Sequence, residues 1–376
     1  MIKTVTAPNT SFLIVFRLLK RCEVNFGKLM LCQQIVICVL FNPSVRIMKF
    51  FLLLLLSFLF WSCVGSDSPS PYGEILSQPP FASVTDSIRR DPGNDELYFR
   101  RAVALNKNNL PEPALADFRK AWSLQSRENY AIGVSNILLD KKPDSAIVFL
   151  KDAIKELPKS MFLQLSLVRA YDTTGKTNDA LAACDEILRQ EPDQVNALLL
   201  KSDLLLKKND AAGAVNALEK AYAYMPTNIE IVSKLAYQYA EAKNSKAVQL
   251  ADSLIKKDSQ RLFAGPYYIK GLYYSNINDR TKAIESFDGA IKVDHRYLNA
   301  YIEKGKILLD QKKTNEALTT FQLANTITPS FPDAWYWMGK CQELLGDKAA
   351  AKENYEKAFE LDNTFTEAKE AAEKIK

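Results

Sequence analysis

Residues 332–365 read PDAWYWMGKCQELLGDKAAAKENYEKAFELDNTF, and their spacing specifies two helices joined by a tight turn. Ala351, Tyr355 and Ala358 are separated by four and three positions, which places them on one side of a helix. Gly339 stands twelve residues before Ala351, and Trp335 four before that, on an earlier helix of the same kind. Gly346 lies between the two helices, where a C-cap calls for left-handed backbone. Small residues at 339, 351 and 358 have a physical cause: two helices approach closely only where one side of the contact carries no bulk.

The same arrangement recurs up the chain. Ala114, Ala146, Ala180, Ala214, Ala247, Ala283, Ala317 and Ala351 are separated by 32 to 36 residues. Four residues after each come Phe118, Leu150, Cys184, Leu218, Ala251, Phe287, Phe321 and Tyr355. An aromatic or apolar residue precedes each alanine by sixteen, Gln164 being the exception. Asn109, Gly175, Asn209 and Asn278 join Gly346 as candidate caps, and Pro158, Pro192, Pro226 and Pro329 end the second helices. A period in the low thirties means a solenoid.

In register and residue type this pattern resembles the tetratricopeptide repeat. Eight repeats are expected within residues 95–365, beginning near Asp95, Arg127, Met161, Val195, Ile229, Ala264, Leu298 and Pro332. A capping helix is expected at each end, in 81–94 and 366–376. The resemblance implies an all-α, right-handed α-solenoid whose first helices line a concave groove for a protein or peptide partner. It also implies that the second, fifth, ninth and twelfth residues of each first helix face inward. Among these are Leu165, Arg169, Leu199, Tyr237, Tyr268, Leu272, Ile302, Lys306, Tyr336 and Lys340. Tyrosine beside lysine suits an amphipathic segment with acidic residues. The Lys and Asn set with which some relatives clamp a C-terminal carboxylate is absent.

Composition points the same way. Glycine and proline together number 29, about 8 per cent of the chain against roughly 12 per cent in an average protein, which favours helix. The single histidine, His295, excludes mechanisms that need a histidine pair. No catalytic constellation stands out, so a binding protein is expected rather than an enzyme, with no cofactor, metal or small-molecule substrate. The net charge of +5 arises at the amino end: residues 1–63 hold seven Lys and Arg against one acid, and the remainder is close to neutral. Nucleic acid is therefore not an expected partner. Gly175-Lys176-Thr177 imitates the end of a phosphate-binding loop but falls at a helix cap, and Cys184 reads as a packed thiol.

Arg46 and Lys49 precede the apolar run Phe50–Trp61, and a polar stretch follows. This is the layout of a signal peptide over 48–62. As a helix the run is about 18 Å long, against a hydrocarbon core of about 30 Å. Phe60-Trp61-Ser62-Cys63 resembles a bacterial lipobox, although Phe60 and Trp61 depart from the usual residues. That resemblance implies lipid attachment at Cys63 and, with Val64 after it, sorting to the outer membrane. A plain secretory signal and an uncleaved anchor are the alternatives. Residues 64–80, rich in Ser, Pro and Gly, read as a flexible tether, and 1–47 as an extension upstream of a translation start at Met48. The expected protein is a lipid-anchored scaffold of the cell envelope. The alternative is an envelope assembly factor or spacer with no dedicated ligand.

The fifth repeat departs from the pattern. Ala251 replaces a large residue, Leu254 a small one, and the link KKDSQRLF is long. Either the array bends there, between blocks 81–257 and 264–376, or Leu254 fills the space that Ala251 leaves.

Overall fold

Apolar positions three and four apart, interrupted every dozen residues by a residue that tolerates positive φ, direct the chain into paired helices. A computed structural model describes residues 72–375, and among these every regular element is an α-helix. The leader, Cys63 and the first part of the expected tether lie outside the described residues. The later part is not a plain linker: Gly73–Leu76 forms a short helix, α1, and Leu76 is buried.

After the cap helix α2 (Ala82–Arg90) come eight helix pairs. They are α3 and α4 (Asp95–Lys107, Pro111–Leu124), α5 and α6 (Glu128–Lys141, Pro143–Glu156), and α7 and α8 (Met161–Thr173, Thr177–Gln190). Next are α9 and α10 (Val195–Lys207, Ala211–Tyr224), α11 and α12 (Ile229–Glu241, Lys246–Lys257), and α13 and α14 (Gly265–Asn276, Arg280–Val293). The last pairs are α15 and α16 (Leu298–Asp310, Thr314–Ile327) and α17 and α18 (Pro332–Leu345, Lys348–Leu361), followed by α19 (Thr366–Lys374).

Local chemistry fixes the helix ends. Asn109, Asn209 and Asn278 have φ between 60° and 66°, and Gly175 and Gly346 have 71° and 85°. Lys243 and Lys312 take the same conformation at φ 56° and 63°, at turns the sequence did not flag. Asp210, Asp279 and Asp347 begin second helices by accepting hydrogen bonds from the backbone N–H of Gly213, Lys282 and Ala350.

Each second helix packs against its own first helix and against the first helix of the next repeat. First helices of most consecutive repeats also meet one another, which makes theirs the shorter, concave side of the stack. The glycines of the later repeats explain how close the pairs come. A Cβ on Gly271, Gly305 or Gly339 would run into the ring of Phe287, Phe321 or Tyr355, each wholly buried sixteen residues later. Burying such a ring contributes about 1.5–3 kcal/mol, and glycine is what lets it lie flat on the neighbouring helix.

At the fifth repeat the core runs on without a break. Leu235, Ala251, Ala264, Ile269 and Phe287 belong to one buried cluster that extends from Leu218 to Ile307. Leu254 is buried as well, and the described residues from 76 onward form one compact unit. The reading of two blocks with a bend between them receives no support from this continuous core.

Candidate partner-binding groove

The ten residues expected on the inner wall do not share one environment. Leu165, Leu272 and Ile302 are only 6–8 % exposed, so they pack the wall from behind and offer a ligand little surface. Leu199 is half-buried against the core. Arg169 is exposed, and no ion pair forms at its guanidinium among the described residues.

Tyr237 and Tyr268 come together on the fifth and sixth first helices. The Tyr268 ring lies 5.2 Å from that of Tyr297, a loop residue, and 5.6 Å from Phe287. Burial, and then the nearby carboxylate of Glu303, raise the pKa of Tyr268 well above the usual tyrosine range. Burial, followed by Glu241 and Glu303, also raises that of Tyr237. Both hydroxyls therefore stay protonated at neutral pH and are available as hydrogen-bond donors.

Lys306 and Lys340 are already engaged. Lys306 Nζ donates to both carboxylate oxygens of Glu303, at 2.9 and 3.1 Å, and lies over the Trp337 ring at 5.8 Å. Lys340 Nζ is 3.7 Å from Glu343 and sits over the rings of Tyr336 and Tyr355, at 5.7 and 5.6 Å. Tyr336 in turn packs against Phe365 at 4.9 Å between centroids. Neither lysine is an unpaired cation.

Two carboxylates of the earlier repeats are matched across the wall. Lys207 reaches Asp172 of the preceding repeat, and Lys234 donates to both oxygens of Asp203 at 2.9 Å. In the later repeats Glu241 and Asp333 have no ion-pair partner among the described residues. Asp333 opens α17, half-buried, and its pKa is raised, first by burial and then by Asp362, with Lys306 opposing and Glu303 reinforcing. A recess of about 550 Å³ adjoins this wall, lined among others by Ile229, Leu254, Leu262, Phe263, Pro266 and Tyr297. Leu262 and Phe263 are exposed at its rim.

Sequence reasoning missed Glu241, Tyr297, Glu303 and Trp337, while Asp333 falls on the second position of its first helix, one of the inward positions. Glu241 and Glu303 were within reach of it, four residues after Tyr237 and three before Lys306 on the same helices. Tyr297 lies in a loop and has no helical register to reveal it.

The look-alike sites resolve as structure. Lys176 of the false phosphate loop pairs with Asp144 at 2.7 Å. Cys184 and Cys341 are buried free thiols whose pKa burial pushes up to about 12. His295 is an exposed loop residue. Among the described residues no group of three or more His, Cys, Asp or Glu could hold a metal ion, and no helix is long and apolar enough to cross a membrane.

Comparison with known proteins gives this architecture its class. Tetratricopeptide-repeat family models match residues 138–204 and, repeat by repeat, 264–295, 298–331 and 332–365. The chain thus carries tetratricopeptide repeats in an α-solenoid, a scaffold of the kind that mediates protein–protein interaction. A crystal structure of a tetratricopeptide repeat protein from Parabacteroides merdae superposes with a TM-score of 0.55 at 18 % identity, covering 66 % of this chain and 98 % of that one. Among curated proteins, human protein O-mannosyl-transferase TMTC3 is 33 % identical over 106 residues, 28 % of this chain and 12 % of its own length. Cellulose synthase operon protein C of Pseudomonas fluorescens is 31 % identical over 107 residues, 28 % of this chain and 8 % of its own length. The match to the transferase spans about an eighth of that protein, so the likeness concerns a repeat segment and not an enzyme's whole chain.

Proposed function

We propose that this protein is a binding scaffold, not an enzyme, which holds a segment of a partner protein in the groove formed by its first helices. The observation that carries this reading is the set of partly exposed aromatic residues on three of the last four first helices, Tyr237, Tyr268, Tyr336 and Trp337, in a stack whose first helices converge. Aromatic anchors on a rigid concave wall lose little side-chain entropy on binding. Replacing Tyr268, Lys306 and Tyr336 together by alanine should weaken capture of the natural partner by at least about tenfold, roughly 1.4 kcal/mol, with the helical circular dichroism unchanged. Unaltered affinity would remove the groove from the account.

The amino-terminal residues support a further element of the proposal, attachment to a membrane of the bacterial envelope through a lipid on Cys63, with the outer membrane as its destination. Its basis is the basic residues at 46 and 49, the apolar run and the Ser62-Cys63 junction. Cys63→Ser should abolish labelling by a fatty-acid analogue and shift the protein from the membrane to the soluble fraction. Equal labelling of the variant would refute the attachment site.

A further inference from the structure

We infer that the half of the groove built by the last four repeats takes an amphipathic segment carrying lysine or arginine, with its apolar side chains on the tyrosine wall and in the adjoining recess. The inference rests on the groove reading above and adds the chemistry of the occupant.

Charge bookkeeping along the wall is the first support. Of the groove residues in these repeats, Lys306 and Lys340 each have a glutamate of their own helix as partner. Glu241 at the end of α11 and Asp333 at the start of α17 have no ion-pair partner among the described residues; on the recess, Lys257 has none either. In the earlier repeats Asp172 and Asp203 are neutralised by Lys207 and Lys234, and Glu128 accepts a hydrogen bond from the Ser160 hydroxyl. A ligand carboxylate would have to displace Glu303 or Glu343 from a lysine, whereas a ligand cation meets the exposed Glu241 and the half-buried Asp333.

The aromatic surfaces are the second support. The faces of Tyr336 and Trp337 already hold Lys340 and Lys306 from within the protein, which shows that the wall accommodates ammonium groups. Tyr237, 40 % exposed, has no such internal cation among the described residues and lies within the fields of both Glu241 and Glu303. An arginine or lysine stem from a partner could cover that ring while its head meets Glu241. Apolar residues of the same segment have a seat nearby, because Tyr297 belongs both to the tyrosine cluster and to the recess rimmed by Leu262 and Phe263. Alternating apolar and basic residues are thus the pattern the surface matches.

The test uses the full chain and two fluorescent 14-residue peptides of one apolar pattern, with lysine at the polar positions of one and glutamate at those of the other. Anisotropy should show the lysine peptide bound about tenfold or more tightly than the glutamate peptide, with affinity falling as salt is raised. Glu241→Gln with Asp333→Asn should reduce binding of the lysine peptide by about three- to tenfold, while Glu156→Gln, at the end of the second helix α6 and away from the groove, should leave it unchanged. Equal affinity for both peptides, lost on Tyr268→Ala with Tyr336→Ala, would keep the groove and overturn the preference for a cation. Charge-dependent binding indifferent to the tyrosine substitutions would overturn both. Failure of the lysine peptide to bind would overturn this inference and leave the groove to be judged by capture of the natural partner.

Discussion

Replacing Arg101 with methionine should cost about 3–5 kcal/mol, measured by urea unfolding, with the loss concentrated in the first repeat and its cap helix. The Arg101 guanidinium donates to both oxygens of Asp117, at 2.6 and 2.8 Å, and to the Thr85 hydroxyl at 3.0 Å. All three residues are buried, so this fork ties α2 and α4 to α3. Without the arginine, Asp117 is a buried carboxylate with no counter-ion. Burial already raises its pKa above the usual 3.8, and Arg101 is what opposes the rise. In the variant only burial remains, so the folded-state value climbs further. Between the ordinary and the raised value the folded chain binds more proton than the unfolded one, and stability therefore increases as pH falls through that window. The deficit should be smaller near pH 4 than at pH 7. Adding Asp117→Leu should recover most of the loss, since an apolar pair of similar volume carries no buried charge. If the single variant melted with the wild type at neutral pH, the fork would be an ornament of the surface.

Gly305→Leu should be nearly as severe, costing about 3 kcal/mol. The new side chain would occupy the place of the Phe321 ring, which is fully buried in the cluster that also holds Tyr301, Ala317, Ala334 and Met338. Overpacking of this kind costs about 1–3 kcal/mol, and complete expulsion of a phenylalanine about 3–5. The helix-propensity gain on leaving glycine, up to about 1 kcal/mol, offsets part of it. Because the two residues compete for one space, Gly305→Leu with Phe321→Ala should lose clearly less than the sum of the single changes. Strict additivity would show that they do not share that space.

These two cases show what was legible in the sequence. Gly305 and Phe321 stand sixteen apart in a recurring pattern, and the same pattern leads directly to the paired helices, their caps at Asn109 or Gly346, and the solenoid. Repetition makes such positions readable, because every repeat solves the same packing problem. Arg101 and Asp117 occur once. Nothing in their spacing tells a buried fork from a pair of surface charges, and only the position of Thr85 on the cap helix closes it. The groove lies between these extremes. Register placed Tyr237, Tyr268, Tyr336 and the two lysines on first helices, but not which charges cancel. Lys306 reads as a free cation until Glu303 is seen to hold it. The burial of Leu165, Leu272 and Ile302 was equally hidden, since an inward position on a helix can face either the groove or the next first helix. At the fifth repeat the local rule was broken and the packing was not, since the buried cluster runs on through Ala251 from Leu235 to Phe287.

The account's central claim is that the concave wall is the surface that holds a partner. Site-specific photocrosslinking tests it most directly, with a photoreactive phenylalanine derivative placed in the full chain at Tyr237, Tyr268 or Tyr336, and for comparison at Leu323. Leu323 is 53 % exposed on the second helix α16. Irradiation in the native host should join the same partner to the three groove positions and nothing of that size to position 323. Partner adducts at Leu323 with none at the tyrosines would contradict the account, and would assign binding to the second helices.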